Sequence, residues 1–150
     1  MVDILHRVGA TASAEDVFAS LTTLEGLSGW WTRDTTGDPG LDGVVRFRFA
    51  GAPDPAGFDM RVVESVPGKS VIWEVVWGPK EWIGTQIAFE LVREDDWTIV
   101  LFAHRGWREA NEFMHHCSTK WATFLMSLKE LVETGSGRPA PHDVQVSNWH

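Results

Sequence analysis

The sequence predicts an α+β fold: one antiparallel sheet closed by a long C-terminal helix. Two observations carry this. From Val45 to His104, short runs of alternating apolar and polar residues follow one another with only turns between them. Beyond Arg108 the apolar period changes from two to between three and four, and that stretch alone is long enough to cover a sheet face. The 150 residues, 43% of them hydrophobic, suit a single domain spanning 1–150 with one core.

Val2 to Val8 reads as a first strand, with Val2, Ile4 and His6 on one side. Ser13 is an N-cap with Asp16 three residues on, and Val17, Phe18 and Leu21 give the helix Ala14 to Thr22 its apolar stripe. Thr23 caps a second short helix through Leu24 and Leu27, ending near Gly29 and leading into Trp30-Trp31. Thr35 to Gly43 holds four turn-forming Gly or Pro residues and is expected to be a loop. Val45, Phe47 and Phe49 then alternate with arginines. Gly51 to Gly57 is a loop, and Phe58, Met60 and Val62 form the next strand face. Val71, Trp73, Val75 and Trp77 share a face opposite Ile72, Glu74 and Val76. Two further strands place Thr85, Ile87, Phe89 and Leu91, then Thr98, Val100, Phe102 and His104, on one side. Phe113, Cys117, Trp121, Phe124, Leu125, Leu128, Leu131 and Val132 lie on one face of a helix from Arg108 to Glu133, about seven turns long. Gly135 and Gly137 stop it, and the tail 138–150, with Pro139 and Pro141, is expected to be irregular.

Several residues in this order resemble a known family. Ala12 to Leu21 (ASAEDVFASL), Trp30-Trp31, Gln86 to Leu91 (QIAFEL) followed by Thr98 to His104, and Trp121 to Gly135 (WATFLMSLKELVETG) resemble the START-like (SRPBCC, helix-grip) superfamily. The branch they look like is the bacterial one related to the activator of the heat-shock-protein-90 ATPase. Lys120 departs from the pattern, since members usually carry glycine before the helix tryptophan. The resemblance implies a helix-grip sheet around the last helix, with a cavity between them for an apolar molecule. It also implies two alternatives: a polyketide cyclase or hydrolase-type enzyme, and a module that stimulates a chaperone ATPase.

The composition narrows the partners. A formal charge of −8 disfavours nucleic acid and anionic membranes, which need basic patches. No run of about 18 apolar residues is present, so no membrane span is expected. Met1 to Ala10 carries Asp3 and no apolar signal region, so a cytoplasmic location is expected. No phosphate loop, dinucleotide fingerprint or nucleophile elbow is present, and no cofactor is expected.

Nine Trp and eight Phe with no Tyr point to a wide aromatic cavity or an interface, though core packing alone uses the same residues. Strand parity sends Phe47, Met60, Trp73, Trp77, Phe89 and Phe102 inward beneath Trp121, where they are candidate ligand contacts. Trp30, Trp31, Trp82, Phe113 and His116 are candidates for the pocket or its rim. His104 shares their parity; it is either a satisfied strand-end histidine or a weak candidate for a general base. Cys117 sits on the helix stripe as a small buried hydrophobe or a pocket residue. His115, His116 and Cys117 point about 100° apart in sequence and cannot chelate one ion together; His104 with His116 or Cys117 is geometrically conceivable, but no metal is expected. Ile72, Val76, Ile99 and Leu101 have outer-face parity, a patch that suits a homodimer.

Overall fold

A computed structural model describes residues 1–150. Strand β1 (Val2–Ala10) is followed by helices α1 (Ala14–Thr22) and α2 (Leu24–Trp30). Strands β2 (Asp34–Gly37), β3 (Val44–Arg48), β4 (Gly57–Val66), β5 (Ser70–Trp77), β6 (Gln86–Glu94) and β7 (Trp97–Trp107) come next, then the long helix α3 (Glu112–Thr134). The seven strands form one antiparallel sheet in the order β1-β7-β6-β5-β4-β3-β2. Because β1 joins β7, the helices α1 and α2 lie between the first strand and the opposite edge of the sheet, and α3 returns along the concave face. This is the helix-grip α+β architecture. No helix is long and apolar enough to cross a membrane.

The caps follow the sequence. Ser13 accepts from Asp16 N, and Thr23 accepts from Gly26 N at the start of α2. At α3 the start differs from the expectation. Asn111, not Arg108, is the N-cap: its side chain accepts from Met114 N, and the chain before it stays extended in β7 as far as Trp107. At the other end Gly135 takes the left-handed conformation, φ 89°, and donates its N–H to Leu131 O. The C-terminal turns of α3 are tied to β1 and its exit: Lys129 Nζ donates to Gly9 O at 2.9 Å, and Glu133 accepts from Thr11 N at 2.8 Å.

Three expectations fail at particular residues. Asp34–Gly37, which overlaps the start of the Thr35 to Gly43 segment read as a loop, is an edge strand paired to β3. Its four residues DTTG carry no apolar alternation, because a short edge strand buries almost nothing. Trp77 does not point inward. A register shift between Asp59 and Met60 places two residues of β5 where one is expected, and Trp77 turns out, 40% exposed, with the Arg48 guanidinium 4.6 Å from its ring centroid. Ile99 has outer-face parity but is buried, against Gly9 of β1.

Candidate functional site

The inward strand faces are filled, not hollow. Phe47, Met60, Trp73, Phe89 and Phe102 are buried in one continuous core. What fills the concavity is the pair delivered by α2. Trp30 meets Phe89 edge-on at 6.2 Å between centroids, and Trp31 lies 6.0 Å from Trp73 and 4.3 Å from Phe47. Phe102 meets Trp121 of α3 at 4.6 Å. These five strand residues are therefore packed core, and none of them lines the open space in the molecule.

That space is a groove of about 900 Å³ at the N-terminal half of α3. Its floor is aromatic: Trp31 lies 5.0 Å from Trp121, Trp82 stacks on Phe58 at 4.0 Å, and Trp82 lies 5.8 Å from Trp121. One wall is the helix face carrying Phe113, His116, Cys117, Lys120 and Phe124. A second wall is the connection between β3 and β4, from Phe49 to Phe58. The third is the C-terminal tail, Ala140 to His150. Of the sequence candidates, Trp31, Trp82, Phe113, His116, Cys117 and Trp121 line this groove.

The tail is irregular, yet it is anchored. Ala140 N donates to Trp31 O at 2.8 Å and Arg33 N donates to Ala140 O at 3.1 Å, a single parallel bridge. Arg138 N donates to Ser127 Oγ at 2.7 Å. Gly137 runs so close to α2 that a Cβ there would stand 2.5 Å from Gly29 O, so only glycine fits. Lys120 Nζ then donates to Asp143, whose side chain is 3% exposed. Lys120 thus holds the tail across the groove.

His104 is enclosed in the core and its two ring nitrogens are both engaged. Trp121 Nε1 donates to His104 Nδ1 at 3.1 Å, which fixes Nδ1 as an acceptor and leaves the proton on Nε2. Nε2 then donates to Thr85 Oγ1 at 2.8 Å, and that hydroxyl donates to Trp82 O. Burial pushes the His104 pKa down to about 3. Its lone pair is spent on an indole and it does not line the groove, so a general-base role has no geometric support. Burial likewise pushes the Cys117 thiol up to about 12, which keeps it protonated and unreactive as a nucleophile. His116 is lowered by partial burial and by the neighbouring charges of Lys120 and His150.

The sheet gripping a C-terminal helix, with an aromatic groove at the helix start, defines a START-like protein. The family model of the Activator of Hsp90 ATPase homolog 1-like proteins matches residues 11–133, and the chain belongs to that family. Its fold is similar to the Aha1 dimer of Colwellia psychrerythraea, solved in solution: 43% identity, 91% of this chain and 100% of that one covered, TM-score 0.82. A Staphylococcus saprophyticus protein shares the fold at 15% identity, covering 93% of this chain and 98% of its own, TM-score 0.73. CalU16 of Micromonospora echinospora does so at 16% identity, covering 93% and 77%, TM-score 0.70. A comparison with curated protein sequences returned no match.

Proposed function

We propose that the protein binds a small apolar, ring-bearing molecule in the groove at the start of α3. The observation that carries this is the contrast in packing. Phe47, Trp73, Phe89 and Phe102 are enclosed in the core away from any groove, whereas Trp31, Phe58, Trp82 and Trp121, although largely buried in the same core, border an open space of about 900 Å³. A space of that size, mostly apolar with a few polar groups at its rim, matches the general form of small-molecule sites. The reading is binding rather than catalysis, since the only buried histidine and the only thiol are both held in inert states. Crystals grown with 2-methylnaphthalene test it. The expected result is ring density against Trp31 and Trp121; density only at the outer sheet face, or none, contradicts it.

A second reading concerns assembly. Leu5, 70% exposed, pairs with Ala103, which pairs with Ala88, which pairs with Ile72, so an apolar row crosses four strands on the outer face. Leu101, 39% exposed, and Val76, 42% exposed, lie on the same face. The similar Colwellia protein was solved as a dimer, and two copies of this chain are proposed to pair through this face. Light scattering should give twice 16.8 kDa, and Leu5→Glu should return the mass to that of one chain. A single-chain mass at every concentration contradicts the pairing.

A further inference from the structure

The polar rim of the groove is uneven, and the unevenness selects among apolar ligands. Asp143 sits on the tail wall with its side chain 3% exposed. One of its oxygens, Oδ2, is served: Lys120 Nζ donates to it, and His150 Nε2 stands 3.5 Å away. The other, Oδ1, is buried and receives no hydrogen bond from the protein. Buried carboxylate oxygens normally accept at least one hydrogen bond, and leaving one empty costs free energy. Asp143 borders the groove and this oxygen is sealed from solvent, so a ligand donor reaches it by displacing the part of the tail that covers it.

The charge around it narrows the donor. Lys120 already neutralises Asp143, so an ammonium ligand would bring a further buried charge with no counterpart. A ligand carboxylate would set its own lone pairs against Oδ1. A neutral hydroxyl brings a donor and no charge, and a hydrogen bond to an ionised acceptor is among the stronger kinds.

We infer that the groove takes uncharged, ring-bearing molecules carrying a hydroxyl group, a phenol or a cyclic alcohol, whose O–H is donated to Asp143 Oδ1. This rests on the proposal that the groove binds an apolar molecule, and it adds what fixes the ligand's orientation: rings on Trp31 and Trp121, hydroxyl toward the tail.

Three probes of nearly equal shape test it on the full chain by calorimetry at neutral pH: 2-naphthol, 2-methylnaphthalene and 2-naphthoate. The expected order places 2-naphthol about tenfold or more tighter than 2-methylnaphthalene, the hydrogen bond being the difference, with 2-naphthoate weakest. In a Lys120→Met, Asp143→Leu double variant, which removes both charges together, the ratio of 2-naphthol to 2-methylnaphthalene affinity should fall to about one, whatever loosening of the tail does to the affinity of both. Equal binding of 2-naphthol and 2-methylnaphthalene to the native chain overturns the inference and leaves the broader reading standing. So does a preference that survives in the double variant. Failure of all three probes to bind overturns both. If the double variant does not fold, the ranking on the native chain decides alone.

Discussion

Trp121→Ala should destabilise the folded protein by about 3–5 kcal/mol, the range for truncating a large buried aromatic. The residue is 2% exposed. Its ring contacts Phe102 at 4.6 Å, Trp31 at 5.0 Å and Trp82 at 5.8 Å, so its loss opens a cavity where α3, α2 and the sheet meet. It also removes the only donor to His104 Nδ1, leaving a buried acceptor empty. Trp121→Phe separates the two effects. It keeps much of the apolar volume but loses the N–H, so it should cost less than the alanine variant, about 1–3 kcal/mol for the orphaned buried acceptor. Denaturant unfolding of both variants measures this. Equal losses would mean that the lost ring volume contributes nothing and that the N–H accounts for the whole effect.

The second large effect is a pH dependence from the same pair. His104 titrates near 3 in the folded protein and near its ordinary 6.5 when unfolded. Its folded pKa is depressed, so the unfolded chain takes up the proton first. The stability His104 contributes is fully present above about pH 6.5 and drains away as pH falls toward 3. The slope within that window approaches about 1.4 kcal/mol per pH unit. Carboxylates add their own acid sensitivity, so the test is differential. Urea unfolding at pH 7 and pH 4.5 should show the native chain losing more stability than His104→Gln, which cannot titrate. Parallel losses in the two chains would contradict the assignment.

Much of this was legible in the sequence. The alternation from Val45 to His104 and the stripe from Phe113 to Val132 specify the sheet and its closing helix, because burial of one face imposes those periods. Ser13 and Thr23 mark the short helices by their capping chemistry. The site was harder to read. Parity shows which way a strand residue points, not what meets it there, so Phe47, Trp73 and Phe89 read as pocket lining until Trp30 and Trp31 are seen to fill the space above them. Trp77 was misplaced because a bulge in the β4–β5 pairing has no signature in the alternation of β5 itself. The helix wall with Phe113, His116 and Cys117 was read correctly, but the other two walls were missed. The segment from Phe49 to Phe58 and the tail from Ala140 to His150 are rich in Pro and Gly and have no period. Their positions depend on single long-range contacts such as Ala140 with Trp31 and Lys120 with Asp143. One signal was available: Lys120, a charged residue beside the helix tryptophan, needs a counter-ion.

The nine tryptophans offer a direct test of the central claim, that the open groove at the start of α3 is where a ring-bearing apolar molecule binds. Trp31, Trp82, Trp121 and Trp149 line the groove, while Trp30, Trp73 and Trp107 are core and Trp77 and Trp97 face outward. Each indole N–H gives its own signal in a nitrogen–proton correlation spectrum. Titration with 2-naphthol should move the signals of the four groove tryptophans together and saturably, with Trp77 and Trp97 unmoved. Shifts confined to Trp77 and Trp97, or no saturable shift at any of the nine, would contradict the claim.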